Sequence, residues 1–374
     1  MRREWVETED RRRATTHAAL RTNHGACGVE SRRARGGARR GVVLVTEYEH
    51  EASRGRRVGG ARAYGVERAT DDDGGAVVRA RQVGRYADDD ASNAIGAVFE
   101  ARWSAREGDW NRCAFADADG FLTLARAEDV EGSRESDGED AGWRIEFQTL
   151  AKVHCGGGGL GMATCLDWRS DGALAASAAD GSFRVMREDA SAIEIVDTVE
   201  GAHDLEMWAI AFDATRADVL YTGADDCAFK AWDLRDASRA QMVNRKTHCA
   251  GVTCVVPSPR DENTVVTGSY DDHVRLWDVR SMKSPVSELN VGGGAWRCRW
   301  HPTRNALACA AMGGGAVLVD VDDASGALKE VFTYDEHESI VYGADWVQLD
   351  GDDDSSDVLV TCSFYDKSVR CWHV

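Results

Sequence analysis

The chain has 374 residues, of which 43% are hydrophobic and only 4 are proline, so it can bury a large core and does not have the composition of a disordered protein. Its formal net charge of -19 argues against direct binding to nucleic acid, because nonspecific binding of phosphate backbones depends on clustered Lys and Arg. No apolar run reaches the roughly 18 residues that a membrane-spanning helix needs. We therefore expect a globular protein with no membrane span and no direct contact with nucleic acid.

The N-terminal region is basic. Residues 1–40 contain 11 Arg and 5 acidic residues, a local charge of +6. Transit peptides can be Arg-rich but are poor in acidic residues, and four acidic residues lie within the first ten. We therefore expect residues 1–15 to be a poorly ordered, Arg-rich head. The odd number of cysteines, 11, without a secretory leader fits a reducing compartment, so the expected location is cytoplasmic.

An internal repeat predicts the fold. His203 precedes Trp232 by 29 residues, and His248 precedes Trp277 by the same 29 residues. The two tryptophans are 45 residues apart, within the range of a WD repeat, whose four short strands form one propeller blade. The sequence therefore predicts an all-β fold, a WD40 β-propeller.

In chain order, the repeats become clearer toward the C-terminus. Weaker copies are predicted at residues 16–88, 92–150 and 158–198, and clear copies at 201–240, 246–286, 290–332 and 336–374. The sixth copy is degenerate, because Gly313 stands where a turn Asp is expected. These copies predict a seven-bladed WD40 β-propeller over residues 16–374. The last copy lacks a fourth strand, and residues 18–22 are the candidate strand to fill that edge and close the ring.

The repeating His, Asp and Trp positions are interpreted as scaffold. A blade is short and must fix its turns, and a turn carboxylate can accept hydrogen bonds from turn amides and connect to the His and Trp of the repeat. The residues expected to form this structural WD network are His203, Asp226, Trp232, His248, Asp271, Trp277, Asp366 and Trp372.

Three other motifs do not indicate a site. The chain has no GxSxG motif, which excludes the nucleophile elbow of α/β-hydrolases. Gly156, Gly158 and Gly161 match GxGxxG, but a strand pattern follows them where a dinucleotide site needs a helix. No CxxC pair is present, and Cys371 and His373 have no further ligands nearby in sequence, so no metal site is expected.

Five segments carry a resemblance to a known family. They are HDLEMW (203–208), TGSYDD (267–272), GGGAWRCRWHP (292–302), SIVYGADW (339–346) and CSFYDKSVRCW (362–372). In order and spacing these segments resemble the diphthine methylesterase family, most clearly over about residues 200–374. The resemblance implies a hydrolase that removes the methyl ester of methylated diphthine on translation elongation factor 2 and that needs no cofactor.

The chemistry of that substrate points to a set of residues. The substrate carries a quaternary ammonium group beside the ester, and such cations favour aromatic faces and nearby carboxylates. Positions at one rim of a propeller channel, just before the turn Asp or at the start of an inner strand, are aromatic or acidic in several repeats. The expected substrate-binding residues are Trp208, Asp225, Tyr270, Trp296, Tyr342 and Tyr365.

Candidate catalytic residues follow from the reaction alone. Ester hydrolysis needs a base-activated water or a nucleophile, together with donors for the developing oxyanion. His337, Ser339 and Asp345 share one repeat, and Arg297 is a candidate oxyanion donor. His337 also occupies the structural position that opens its repeat, so a scaffold role competes with the catalytic one.

A non-catalytic scaffold is the alternative interpretation. WDLR (232–235) and WDVR (277–280) resemble the WDxR boxes of substrate receptors for cullin-type ubiquitin ligases. A receptor of that kind would bind a ligase adaptor through Arg235 and Arg280. Loss of adaptor binding when both arginines are changed would favour this alternative over the esterase.

Overall fold

The computed structural model describes residues 15–32, 40–53, 56–70, 76–87, 95–131, 143–156, 161–189, 192–349 and 357–374. The predicted head at residues 1–15 lies almost entirely outside the described residues. The described residues form seven four-stranded antiparallel sheets, here called blades 1 to 7 in the chain order of their first strands. The seven-bladed β-propeller predicted from the repeats is confirmed.

The strands are numbered in chain order from β1 (Thr15–Arg21), which belongs to blade 7. Blade 1 contains β2 (Gly25–Ser31), β3 (Arg40–Glu51), β4 (Arg56–Thr70) and β5 (Ala76–Ala87). Blade 2 contains β6 (Val98–Trp103), β7 (Arg112–Asp117), β8 (Phe121–Val130) and β9 (Arg144–His154). Blade 3 contains β10 (Ala163–Trp168), β11 (Leu174–Ala178), β12 (Phe183–Asp189) and β13 (Ala192–Val199).

Blade 4 contains β14 (Met207–Phe212), β15 (Val219–Ala224), β16 (Phe229–Asp233) and β17 (Met242–Asn244). Blade 5 contains β18 (Val252–Pro257), β19 (Thr264–Ser269), β20 (His273–Asp278) and β21 (Ser287–Asn290). Blade 6 contains β22 (Arg297–Trp300), β23 (Ala306–Ala310), β24 (Ala316–Val321) and β25 (Leu328–Tyr334). Blade 7 contains β26 (Val341–Val347), β27 (Val358–Ser363) and β28 (Ser368–His373), followed by β1 at its outer edge.

The ring is closed by a strand from the other end of the sequence. β1 pairs with β28 over a register that runs from Thr15 opposite His373 to Arg21 opposite Ser368. The predicted closing strand at residues 18–22 therefore corresponds to β1. The pairing removes the edge that β28 would otherwise expose to other chains.

The core lies between the blades. Leu318 of blade 6 packs with Trp346 and Trp372 of blade 7, and both Trp372 and Leu359 are fully buried. The inner strand β2 packs against β6 on one side and β26 on the other, so the first and last blades meet. Burial of one blade face against the next explains why a single repeat cannot fold alone.

The inner strands share an irregularity near their start. In six of the seven inner strands, the pairing with the second strand of the blade skips one residue, which is the bulged residue. Blade 6 has no such shift, and Trp296, just before β22, takes the equivalent position. A bulge leaves one residue outside the ladder and re-aims its side chain. The seven residues at this position, here called the mouth ring, are Cys27, Phe99, Thr164, Trp208, Thr253, Trp296 and Tyr342. Inner strands surround the channel of a propeller, so the mouth ring encircles one end of it.

Among the described residues, no helix has the length and apolar character required to cross a membrane.

Candidate functional site

A continuous row of aromatic side chains crosses the channel mouth. The ring centroids of Trp208 and Trp296 are 5.5 Å apart, and those of Trp296 and Tyr342 are 5.3 Å apart. Tyr270 joins the row 5.7 Å from Trp296. Phe364 continues it 5.3 Å from Tyr342. The predicted rim residues Trp208, Tyr270, Trp296 and Tyr342 are therefore brought together.

The row extends into the first two blades. Tyr48, in the second strand of blade 1, lies 6.2 Å from the ring of Phe364. Phe99, a mouth-ring residue, stacks on Tyr48 at 4.8 Å. We use the name aromatic row for the full set, which is Trp208, Tyr270, Trp296, Tyr342, Phe364, Tyr48 and Phe99.

A small residue in blade 5 allows the two indoles to meet. Trp208 belongs to blade 4 and Trp296 to blade 6, so the mouth-ring position between them is Thr253. The Thr253 hydroxyl donates to the carbonyl of Ala295 at 2.5 Å and stays close to the backbone. The two tryptophan rings therefore make contact across the mouth-ring position of blade 5.

Two glycines make room for side chains of the site. A Cβ atom on Gly25 would lie 2.7 Å from the ring of Phe364. A Cβ atom on Gly251 would lie 2.2 Å from Oδ1 of Asp225 and 3.2 Å from the ring of Tyr270. Both distances to the nearest atom are too short for a real Cβ, so glycine at these positions lets Phe364 and Asp225 approach the backbone.

Asp225 places a carboxyl group beside the row. Burial raises the pKa of Asp225, and Glu206 and Asp226 add to this effect while the Trp208 indole opposes it. Its influence on the pKa of Tyr270 indicates that the two side chains are neighbours. The group is half-buried. Asp225 therefore lies at the edge of the aromatic row, and its carboxylate binds a proton more readily than an ordinary Asp does.

The two indole N–H groups of the row have no acceptor at hydrogen-bond distance among the described residues. Nε1 of Trp208 and Nε1 of Trp296 are both buried, and only the Trp208 indole comes close enough to a carboxyl group, that of Asp225, to lower its pKa as a hydrogen-bond donor. Elsewhere the indoles of Trp103, Trp168, Trp300 and Trp346 each donate to a backbone carbonyl of another blade. A buried donor left without an acceptor costs about 1–3 kcal/mol, so the pair is exceptional within this fold.

The phenols of Tyr342 and Tyr270 remain neutral. Burial raises the pKa of Tyr342 to about 12, with smaller contributions from Tyr365 and Cys27. Burial also raises the pKa of Tyr270, and Tyr342 and Asp225 increase that shift. The row therefore offers neutral aromatic faces with an acidic group at one edge.

Within the described ranges, no three His, Cys, Asp or Glu side chains are grouped so as to hold a metal ion.

Arg297 lies under the row but is engaged by other groups. Its Nε donates to Glu100 at 2.9 Å, and its Nη1 donates to the carbonyl of Thr253 at 2.8 Å. The guanidinium carbon is 4.6 Å from the ring centroid of Trp296. These contacts give Arg297 a structural role beneath Trp296, and the predicted role as direct oxyanion donor has no geometric support.

A network of buried charges fills the channel below. Glu30 accepts hydrogen bonds from Arg102 at 3.0 Å and from Arg299 at 2.8 Å. Burial alone would raise the pKa of Glu100, but the surrounding arginines lower it to about 2. Asp345 lies in this network, where it accepts a hydrogen bond from the amide of Ser31 at 2.6 Å. Burial and then Glu30 raise the pKa of Asp345 to about 6.

His337 belongs to the scaffold. Its Nδ1 lies 2.8 Å from the hydroxyl of Ser368, and its Nε2 lies 2.8 Å from that of Thr361. Burial lowers the pKa of His337 to about 4, so the ring is neutral. No hydrogen bond joins it to Ser339 or Asp345. The Asp345 carboxylate instead accepts from the amide of Ser31. The hypothesis of a catalytic cluster of these three residues is therefore corrected, because both ring nitrogens already serve the blade.

The structural WD network contains a residue type that the sequence reasoning missed. In blade 4, Thr222 accepts a hydrogen bond from Trp232 Nε1 at 2.9 Å and lies 2.8 Å from Nε2 of His203. In blade 5, Thr267 makes the same contacts with Trp277 and His248 at 2.8 and 3.0 Å. The signal was present, because each threonine stands 10 residues before its tryptophan.

The turn carboxylates of the network bind backbone amides. The carboxylate of Asp226 accepts from the amides of Asp204 and Ala228, and that of Asp271 accepts from the amide of Cys249. In blade 7, Asp366 accepts from the amide of Glu338 at 2.9 Å. Trp372 donates to Thr361 at 3.3 Å, which completes the third copy.

Tyr365 lies outside the row. Its side chain is 70% exposed, and its ring touches the edge of Phe364 at 5.0 Å. Strands β19 and β27 end at equivalent serines, Ser269 and Ser363, but the following turn is one residue longer in blade 7. Phe364 therefore takes the place that Tyr270 has in blade 5, and Tyr365 is displaced toward solvent.

Arg235 and Arg280 lie at the other end of the blades. Each follows the third strand of its blade, whereas the aromatic row lies where that strand begins. Each guanidinium donates to the Asp two residues earlier, with a shortest distance of 2.6 Å in both blades. The two arginines are 73% and 69% exposed, so they form matching surface positions on neighbouring blades.

Comparison with known proteins gives one family match and several relatives. The family described as WD domain, G-beta repeat matches residues 241–278. A protein named diphthine methyltransferase homolog from Dictyostelium discoideum is 34% identical over 236 residues, which cover 56% of this chain and 62% of that protein. The human protein named diphthine methyltransferase is 38% identical over 152 residues, which cover 40% of this chain and 33% of that protein. The matched region thus spans less than two thirds of the length of these relatives.

A solved structure supports the fold. A chain in the crystal structure of the mitotic checkpoint complex matches this protein with a TM-score of 0.67 and 18% sequence identity. The match covers 100% of this chain and 96% of that chain. At this identity the likeness shows the propeller architecture alone.

Proposed function

We propose that this protein acts in diphthamide biosynthesis, where it hydrolyses the methyl ester of methylated diphthine on translation elongation factor 2. The observation that carries the proposal is the aromatic row with Asp225 at its edge. It occurs in a chain that is similar to proteins named diphthine methyltransferase in organisms as distant as Dictyostelium discoideum and human.

The row fits the cationic part of that substrate. A quaternary ammonium group has no N–H to donate, so it is bound by aromatic faces and by nearby negative charge. Each aromatic face contributes about 0.5–2 kcal/mol, depending on how far the cation is desolvated. Trp208, Trp296 and Tyr342 supply adjoining faces, and Asp225 supplies the charge. The same groups would bind a neutral side chain much less well.

Hydrolysis and methyl transfer make opposite predictions for the substrate. Hydrolysis consumes water, releases methanol and lowers the mass of the modified protein by one methylene group. Methyl transfer needs a methyl donor and raises the mass by the same amount. The resemblance of five segments to the methylesterase family favours hydrolysis for this chain.

The test is intact mass spectrometry of elongation factor 2 carrying methylated diphthine, after incubation with the purified protein. Loss of one methylene mass together with release of methanol supports the proposal, and the Trp296→Ala variant should abolish most of this activity. Leu205→Ala, on the loop before β14, is the matched control and should retain it. An unchanged mass with protein that is folded by circular dichroism would contradict the proposal, as would a gain of mass that requires S-adenosylmethionine.

A second candidate rests on Arg235 and Arg280, whose exposure at equivalent turns of neighbouring blades suits contact with a partner. In that case the protein would be a scaffold that binds a ubiquitin ligase adaptor. A pulldown with the adaptor should then fail for the Arg235→Ala/Arg280→Ala variant and succeed for Arg239→Ala. Equal recovery with all three proteins would exclude this candidate.

A further inference from the structure

The acidic edge of the aromatic row holds more polar groups than cation binding requires. Trp208 and Trp296 touch through their rings and each has a buried N–H group without an acceptor. Asp225 and the ring of Tyr270 both pack against Gly251, and the Tyr270 ring lies 5.7 Å from that of Trp296. The Trp208 indole faces the Asp225 carboxyl as a weak hydrogen-bond donor and lowers its pKa. Buried donors without an acceptor at hydrogen-bond distance are rare in folded proteins, and two of them on touching rings require an explanation.

We propose that Asp225 is the general base of the ester hydrolysis, and that the indole N–H groups of Trp208 and Trp296 stabilise the oxyanion of the tetrahedral intermediate. This inference rests on the proposed function and supplies its mechanism. It replaces the cluster around His337 with groups that the structure brings together.

The reaction balances with these three groups. The carboxylate of Asp225 takes a proton from a water molecule as the water oxygen bonds to the ester carbonyl carbon. The carbonyl π electrons move to oxygen, and the resulting oxyanion accepts hydrogen bonds from the two indole N–H groups. The bond to the methoxy group then breaks, and the leaving oxygen takes the proton from Asp225. The products are methanol and the carboxylic acid of diphthine, with Asp225 ionised again; the acid then releases its proton to solvent and becomes the carboxylate.

Asp225 differs from the other buried carboxylates near the mouth. Asp226 is held by His203 at 2.9 Å and by two backbone amides, and these hydrogen bonds lower its pKa despite burial. Glu100 is neutralised by arginines. Asp225 accepts no hydrogen bond from a described backbone amide, and Glu206 and Asp226 face it with like charge. Apart from the weak interaction with the Trp208 indole, its lone pairs therefore remain available to a water molecule.

The tryptophans can serve both parts of the substrate. Their faces bind the ammonium group and their N–H edges bind the ester oxygen, which is close to the ammonium in the same side chain. Arg297 lies 4.6 Å from the centroid of the Trp296 ring, and its positive charge favours a negative oxygen nearby. Since this guanidinium is fixed by Glu100 and by backbone carbonyls, it needs no reorganisation during the reaction.

The test separates N–H donation from cation binding by replacing tryptophan with phenylalanine. Phenylalanine keeps an aromatic face but has no N–H, so Trp208→Phe and Trp296→Phe should each lower kcat by about 10²-fold with little change in KM. Asp225→Asn should lower kcat by about 10²-fold or more, because the amide cannot accept the proton. Asp272→Asn, in the equivalent turn of blade 5, is the matched control and should leave both constants unchanged. All rates are measured with elongation factor 2 carrying methylated diphthine.

Two further results distinguish this mechanism from the proposed function. If the wild-type protein hydrolyses the ester and all three variants keep its kcat, the mechanism is wrong while the function stands. If Asp225→Asn raises KM alone, Asp225 is only a counter-ion for the ammonium group, which also overturns the mechanism. A wild-type protein with no hydrolysis would remove the function and the mechanism together. The wild-type pH profile gives a check without variants, since kcat/KM must fall at acidic pH as Asp225 becomes protonated.

Discussion

The indole rings of Trp208 and Trp296 are 5.5 Å apart between centroids, although one belongs to blade 4 and the other precedes the inner strand of blade 6. This contact across a blade depends on the short side chain of Thr253 between them. It creates a site from three blades at once, so the site exists only when the ring is assembled.

Gly251 is expected to control the position of Asp225. A methyl group at this residue would lie 2.2 Å from Oδ1 of Asp225, so Gly251→Ala must displace the carboxyl group. We expect a loss of ester hydrolysis of at least about tenfold in kcat, because small displacements of a catalytic group are costly. Gly313→Ala is the matched control, since nothing lies within 4 Å of its added Cβ. Equal rates for both variants would show that the placement of Asp225 is unimportant.

Phe364 and Tyr365 should differ in their effect on stability. Phe364 packs against Gly25 and between Tyr342 and Tyr48, and its replacement by Ala leaves a gap in the row. We expect Phe364→Ala to lower the free energy of unfolding by about 2 kcal/mol, less than for a fully buried phenylalanine. Tyr365→Ala should change it by less than about 0.5 kcal/mol, because that side chain is largely exposed. Urea denaturation measures both, and a larger effect at Tyr365 would contradict the turn register described above.

Glu100 is expected to be essential for the folded channel. Its carboxylate pairs with Arg297 at 2.9 Å, with Arg102 at 3.2 Å and with Arg299 at 3.4 Å. Glu100→Gln would leave the buried Arg297 without a carboxylate and Arg102 and Arg299 with Glu30 alone, at a cost of about 3–5 kcal/mol of unfolding free energy. Glu200→Gln removes an exposed partner of Arg184 and should cost less than about 1 kcal/mol. Similar midpoints for the two variants in thermal unfolding would argue against a buried network.

The scaffold histidines predict a pH dependence of stability. Burial lowers the pKa of both His248 and His337 from 6.5 to about 4. Between these values the unfolded chain binds protons that the folded protein does not, so the free energy of unfolding falls as the pH is lowered from 6.5 to 4. Urea denaturation at several pH values measures the slope. The His248→Gln/His337→Gln variant should be less stable at neutral pH and show a shallower slope, whereas the exposed His50→Gln should change neither.

The repeats in the sequence were sufficient to predict the fold and much of the rim. Two strong copies fixed the period, and the residues before the turn Asp led directly to Asp225 and Tyr270. The row was incomplete because Phe99 and Tyr48 lie in blades that lack the His and Trp of the repeat. Phe364 was missed because one inserted residue in the turn made Tyr365 the neighbour of the Asp.

The catalytic hypothesis was limited by a different cause. Residues near each other in one repeat, such as His337 and Asp345, can face different parts of a blade, because successive positions of a strand alternate between faces. Contacts between blades, such as that of Trp208 with Trp296, arise from closure of the propeller and leave no pattern in the local sequence. The missing acceptors of the two indoles could be recognised only from coordinates.

The pairing of β1 with β28 sets the order of events during synthesis. Among the described strands β1 leaves the ribosome before all others, yet its only ladder partner, β28, is translated after all others. Blades 1 to 6 can form as the chain emerges, but blade 7 stays incomplete until translation has passed β28. Sheets assembled from such distant segments form slowly, and an unpaired edge is open to other chains meanwhile. Nascent-chain proteolysis should therefore find β1 unprotected until β28 has emerged from the ribosome.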